Sequence, residues 1–219
     1  MCDQNFVNIT RKSGKYEMIP KEIMKLMKGK SMPENSIVSY DDLSYLSVPY
    51  YDFSFKICLG HLIISKELKN EVLEIFLKLY DLKYPIERIE LIDYFYNGKA
   101  EDLDLESMRH NNTSAFCCRK VSGTERISNH SLGRAIDINP KINPYISETG
   151  TVLPENGLKF SDRGLTYPDI SEVEEKAMIH KGDKVYDIFK SYGWDWGGEI
   201  WQGRYYDYHH CLLYTSPSP

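Results

Sequence analysis

Ser128-Asn129-His130-Ser131-Leu132-Gly133-Arg134-Ala135-Ile136-Asp137-Ile138-Asn139-Pro140 sets an imidazole and a carboxylate seven positions apart, with a glycine between them where the chain can turn. Beyond Gly133 the residues alternate. Arg134, Ile136 and Ile138 fall on one side; Ala135, Asp137 and Asn139 fall on the other, which is the period of a strand. The pattern predicts a loop carrying His130, a bend at Gly133, and a short strand presenting Asp137 beside the small Ala135. A histidine nitrogen and a carboxylate oxygen brought together in this way suit a zinc ion, Zn2+. A third ligand has to come from elsewhere. Tyr205-Tyr206-Asp207-Tyr208-His209-His210, near the other end of the chain, supplies candidates. A His and an Asp at this spacing are common by themselves; the longer string S-x-H-x-x-G-x-A-x-D-I is far more specific.

Three further stretches accompany that string in a fixed order. Ser114-Ala115-Phe116-Cys117-Cys118-Arg119 lies upstream, and Gly193-Trp194-Asp195-Trp196-Gly197-Gly198-Glu199 and Asp207-Tyr208-His209-His210 lie downstream. Together they resemble the VanY-type D-alanyl-D-alanine carboxypeptidase family, zinc peptidases of bacterial cell-wall peptides. That family carries S-x-F-x-x-R, H-x-x-G-x-A-x-D, W-G-G and D-x-x-H. The resemblance spans roughly residues 20 to 210. It implies His130, Asp137 and His210 as zinc ligands, Asp207 as the acidic base, Arg119 as the residue that binds substrate and steadies the oxyanion, and Ser114 as a substrate contact. It also implies a fold class: α+β, with a small, mainly antiparallel sheet carrying zinc on one face and helices on the other, as in hedgehog-like and DD-peptidase-like proteins.

Strand geometry opposes one of these assignments. Strict alternation would put Asp207 and His209 on one face and His210 on the other. The D-x-x-H spacing selects His210, which requires a bulge or a strand end there; His209 is then expected to face away from the ion.

Composition narrows the remaining classes. A chain of 219 residues is long enough for one domain with a core of ordinary size. A net charge of −5 argues against a general nucleic-acid binder. No apolar run reaches membrane-spanning length. The start, Met1-Cys2-Asp3-Gln4-Asn5-Phe6, lacks the apolar stretch of a signal peptide, so the chain reads as cytoplasmic as written. The family works on the wall side of the membrane, which would imply a truncated start. The five cysteines include no C-x-x-C pair, and adjacent Cys117 and Cys118 would point to opposite faces of a strand, so reduced thiols are expected. The seventeen tyrosines fit either a peptide groove or ordinary sheet surfaces. Nothing suggests a partner chain, and a monomer is expected.

Residues 1–19 show no clear period. Pro20 opens a short helix with Ile23, Met24 and Met27 on its apolar face, ended by Gly29. Tyr50 to Leu59 reads as extended, and Gly60 to Ile64 as a strand. A helix is expected from Ser65, buried along Leu68, Val72, Ile75, Phe76 and Leu79. Residues 86–96 alternate as a strand, and 97–106 read as a solvated acidic loop. Residues 146–181 read as a long excursion with little regular structure, either a lid or a surface insertion. Asp183 caps a last helix bearing Val185, Ile188, Phe189 and Tyr192, with Gly193 just past its end. Trp194, Trp196 and Trp201 are expected in the core, and His61, His110 and His180 have no expected metal role. Gly197-Gly198 lacks the lysine and helix start of a phosphate loop.

The domain is therefore read as residues 1–210. Residues 211–219, ending in Leu-Leu-Tyr-Thr-Ser-Pro-Ser-Pro, are similar to translated sequencing-adapter sequence and are expected to be a non-native tail. The expected activity is zinc-dependent hydrolysis of peptidoglycan stem peptides, first as a D-alanyl-D-alanine carboxypeptidase. The alternatives are an L-alanyl-D-glutamate endopeptidase of the endolysin kind and a non-catalytic zinc-binding relative.

Overall fold

The computed structural model describes residues 14–121, 124–164, 169–201 and 203–213. Its N-terminal half is built on an antiparallel sheet of β1 (Lys15–Glu17), β2 (Leu43–Tyr51) and β3 (Ile57–Ser65), in that order. β2 and β3 pair along their whole length, from Leu43 opposite Ser65 to Tyr51 opposite Ile57. The stretch read as extended from Tyr50 to Leu59 is thus broken by a tight turn. The Asp52 carboxylate accepts from the amides of Ser54 and Lys56, both at 2.8 Å, and draws the chain back on itself. Helices α1 (Lys21–Met27) and α2 (Lys69–Asp81) cover opposite faces of this sheet. Odd-numbered Leu43 and Ile63 join Met27 on one side; Leu46, Val48, Leu62 and Ile64 meet Val72, Ile75, Phe76 and Leu79 on the other. The α2 stripe is the expected one. The helix starts later than expected, because Ser65 is still paired as the last residue of β3.

Three other expectations change in this half. Lys15–Glu17, within the poorly patterned segment, pairs with Ser47 to Tyr45 as an edge strand. The strand expected over 86–96 shrinks to β4 (Arg88–Ile89), which pairs in parallel with β5 (Asn112–Thr113). Beyond Leu91 the burial spacing becomes three, with Ile92 and Phe95 packed beside Leu103 and Cys117, and the chain coils into a 3-10 turn. The acidic stretch 97–106 leads into helix α3 (Leu103–Arg109), which buries Leu103, Ser107 and Met108.

The C-terminal half supplies two more small antiparallel sheets. One orders β6 (Ala135–Asp137), β11 (His210–Leu212) and β9 (Asp195–Trp196); the other orders β10 (Tyr206–Asp207), β7 (Tyr145–Ile146) and β8 (Val152–Leu153). The class is α+β as expected, but the strands are divided among small sheets rather than gathered in one. Helix α5 (Lys184–Ser191) begins where the Asp183 side chain accepts from the Tyr186 amide. Its Val185 and Phe189 join Trp194, Trp196, Ile136 and Ile138 in the same core as α2. The excursion is more regular than expected. It contains β8, a 3-10 segment (Glu155–Phe160) and helix α4 (Glu172–Ala177), closed by a reciprocal cap between Ser171 and Glu174. Phe160, Ala177, Met178 and Ile142 form a small core of its own.

Ordered structure continues past the expected boundary at 210. Cys211 and Leu212 are 1% exposed, and β11 is the middle strand of its sheet, opposite Ile136 and Ala135. The Leu213 amide reaches the Arg134 carbonyl at 3.1 Å. Residues 214–219 lie outside the described residues. Leu212→Ala is therefore expected to cost about 2–5 kcal/mol, the usual range for a buried leucine. A urea-melt midpoint equal to that of the parent protein would show that the strand carries no such weight. Cysteine chemistry also departs in part from expectation: Cys117, Cys118 and Cys211 are free thiols, but Cys58 is disulfide-bonded. No helix among the described residues is long and apolar enough to cross a membrane.

Candidate metal centre

His130 sits in a 3-10 turn (Asn129–Leu132) rather than an open loop. The turn begins where the Ser128 hydroxyl accepts from the His130 amide at 3.3 Å. It ends at Gly133, which has φ +63°. A Cβ there would lie 2.5 Å from the Ser65 amide nitrogen, so glycine is required both for the turn and for the approach of β3. The chain then enters β6. Asp137 exchanges backbone hydrogen bonds with Ser114, at 2.9 and 3.1 Å. Across β6, the register places His210 directly opposite Asp137.

These placements bring three side chains to one point. His130 Nε2 lies 3.1 Å from Asp137 Oδ2, His210 Nδ1 lies 2.9 Å from Asp137 Oδ1, and the two imidazole nitrogens are 3.1 Å apart. All three residues are buried. The other ring nitrogen of His130, Nδ1, meets the Ala115 carbonyl oxygen. Donation of the Nδ1 proton to that oxygen leaves the Nε2 lone pair directed at the cluster, the orientation a metal-ligating histidine needs. A backbone oxygen has no side-chain signature, which is why the sequence did not reveal this contact.

Alternation does not carry through this region. Tyr208 and His209 form a turn between β10 and β11, which belong to different sheets. Trp196 Nε1 donates to the Tyr208 carbonyl at 2.8 Å and fixes the turn. His210 thereby joins the cluster that His209 does not enter. His209 nevertheless does not face away. It is buried, with Nε2 2.9 Å from Asp207 Oδ1 and 3.7 Å from Asp137 Oδ1. Its pairing with Asp207 is a close ion pair rather than an aligned hydrogen bond, since Asp207 Oδ1 makes no aligned hydrogen bond. The Gly-Gly pair also finds its reason here: a Cβ on Gly197 would fall 2.5 Å from the Asp207 carbonyl oxygen.

The charges reinforce one another. Burial opposes ionisation of Asp137, but His130 and His209 outweigh it and hold the carboxyl well below the usual range. Burial likewise opposes charge on His130, and Asp137 reverses the balance and raises its pKa. Burial also opposes charge on His209, and Asp207 and Asp137 push its pKa up to about 10. Against its own burial, Asp207 is lowered by His209. The buried carboxylates thus demand positive charge. A divalent cation among the three donor atoms would supply it and displace protons from the histidines. Two imidazole nitrogens and one carboxylate oxygen are a donor set suited to zinc.

Arg119 stands at the edge of this group. Its Nη2 pairs with Asp104 Oδ2 at 2.7 Å, so the acidic stretch read as merely solvated supplies its partner. Ser131 Oγ accepts from the Arg119 amide and donates to the Arg119 carbonyl, tying this segment to the His130 turn. Burial would lower the arginine pKa; Asp104 above all, with Asp137 and Asp207, raises it. Arg119 Nε is buried without a hydrogen-bond partner. Ser114 contributes its backbone to Asp137, a role the sequence did not show. Trp194 and Trp196 are core residues as expected, whereas Trp201 stacks on the His210 ring at 5.7 Å and on Tyr205 at 5.2 Å. His61 meets the Ser47 hydroxyl, His110 the Glu106 carbonyl, and the His180 amide the Asp183 carboxylate; none of the three enters the cluster.

Residues 122–212 match the model of a family described as D-alanyl-D-alanine carboxypeptidase. The matched segment contains His130, Asp137, Asp207 and His210, so the family resemblance read from the motifs holds over it. Arg119 and Ser114 lie before it. No curated protein and no solved structure gives a significant match to the chain.

Proposed function

We propose that the protein is a zinc-dependent peptidase of peptidoglycan stem peptides, acting as a D-alanyl-D-alanine carboxypeptidase through a single domain that runs to the end of β11. The observation that carries this reading is the convergence of His130, Asp137 and His210 within 4.8 Å of one another, inside the family-matched segment and beside a second, partly buried carboxylate, Asp207. Three protein ligands with room for a fourth is the arrangement of catalytic rather than structural zinc.

Zinc, when held there, would supply a Lewis acid able to acidify water and polarise a carbonyl. The chain's own residues do the rest. Asp207, kept ionised beside His209, accepts the proton of the attacking water and passes it to the leaving amine. Arg119, anchored through Nη2 on Asp104 with its side chain still 31% exposed, offers the accessible part of its guanidinium to the substrate and to the negative charge that develops on the scissile carbonyl. The pairing of His130 Nδ1 with the Ala115 carbonyl keeps the first ligand in one tautomer throughout.

The test is to incubate the zinc-loaded protein with a stem pentapeptide and to identify the released fragment by mass. Free D-alanine is the expected product. A cut between L-alanine and D-glutamate would replace the carboxypeptidase by an endopeptidase, and an intact peptide would leave a zinc-binding protein without this activity. Arg119→Lys keeps the charge but loses the planar fork. It is expected to retain its zinc and its melting temperature while turnover falls by about tenfold or more. Unchanged turnover would remove Arg119 from the catalytic group.

A further inference from the structure

His209 is a buried side chain beside the centre that the proposed chemistry leaves unused. It is 5% exposed, and both ring nitrogens are engaged. Nδ1 lies 2.8 Å from the Asn143 carbonyl oxygen, to which it donates. That carbonyl is itself immobilised. Asn143 Nδ2 donates to the carbonyls of Ile138 and Ala177 at 3.1 and 3.0 Å, Oδ1 accepts from the Ile179 amide at 2.8 Å, and the Asn143 amide donates to Asn139. The imidazole is thus bolted at one end to the loop that follows β6. Its other end meets Asp207 Oδ1, which makes no aligned hydrogen bond.

We propose that His209 is a positioning residue: it braces the Asp207 carboxylate against the His130–Asp137–His210 cluster and fixes the direction from which Asp207 takes its proton. This rests on the reading of Asp207 as the general base. The Nε2 of His209 lies 2.9 Å from Asp207 Oδ1 and stays outside the three-ligand cluster, so the residue acts through its ion pair with Asp207 and not as a ligand. A reactive group held by a rigid neighbour keeps its geometry, and a displacement of about 1 Å can cost on the order of a hundredfold in rate.

Two substitutions separate bracing from bulk. His209→Phe fills the space and removes both polar contacts. His209→Gln removes the Nδ1 anchor but keeps a side-chain amide able to donate to Asp207. Both are expected to bind zinc as the parent does. His209→Phe is expected to lower kcat by roughly 10- to 100-fold with KM within about twofold, and His209→Gln to recover a large part of that loss. In an Asp207→Asn background, His209→Phe is expected to add no further loss, because the residue it serves is already disabled. A crystal structure of His209→Phe is expected to show the Asp207 carboxylate rotated from its parental position, a readout that needs no activity. Parental kcat in His209→Phe, an additive loss in the double variant, lost zinc in either variant, or an unmoved carboxylate would overturn the proposal. The base reading fails separately, if Asp207→Asn alone turns over at the parental rate.

Discussion

Asp207→Asn is expected to lose turnover by roughly 10²–10⁴-fold, the range typical of a missing acid–base group, while keeping its full complement of zinc. Asparagine has the size and shape of aspartate, so the turn between β10 and β11 and the close packing of Gly197 against residue 207 are preserved. What disappears is the carboxylate that can accept a proton. Its ionisation is supported, against burial, by His209 and His210. Zinc content by metal analysis and kcat on a stem pentapeptide decide the matter together. Zinc retained with activity lost is the expected pattern. Zinc lost would make Asp207 a ligand, and activity retained would leave the base elsewhere.

Asp137→Ala is expected to abolish stoichiometric zinc binding. Asp137 touches both other cluster residues, at 3.1 Å to His130 and 2.9 Å to His210, and is the only carboxylate in the three-residue cluster. Its loss leaves two imidazole nitrogens 3.1 Å apart with no negative charge between them. Two neutral nitrogens hold zinc far more weakly than the three-ligand set found in catalytic sites. The variant also buries His130 and His209 without one of the carboxylates that raise their pKa values, so a lower melting temperature in the metal-free protein is expected alongside. Full zinc occupancy in Asp137→Ala would sink the ligand assignment.

The parts of this molecule legible in its sequence are those where side-chain type and spacing act locally. The apolar stripe of α2, the Asp183 cap of α5, the Gly133 bend and the short β6 strand each follow from a few neighbouring residues. The cluster was legible for another reason: histidine and aspartate in a specific string are rare enough to name candidates, although only the β6–β11 register brings His210 beside Asp137. What stayed hidden depends on distant partners. Residues 86–96 alternate like a strand, but Asp93 is drawn inward by Ser31 and the chain coils. Asp104 reads as a solvated charge until Arg119 arrives from further along the chain. The order in 146–181 comes from a small separate core, though the Ser171-x-x-Glu174 capping box was visible and could have signalled α4. His209 was misplaced because period-2 reasoning assumes an unbroken strand, and the chain turns at that residue. Cys211 and Leu212 read as part of a foreign tail because that end resembles adapter sequence, a comparison blind to the backbone pairing that seats both residues between two strands.

One measurement bears most directly on the centre itself. Crystals of the protein grown with equimolar zinc, measured on both sides of the zinc absorption edge, should show one anomalous peak per chain. It should lie about 2 Å from His130 Nε2, His210 Nδ1 and an Asp137 carboxylate oxygen, the ordinary range for zinc bound to nitrogen and oxygen. A peak bound instead through His209, or no peak at the cluster with zinc in excess, would contradict the account.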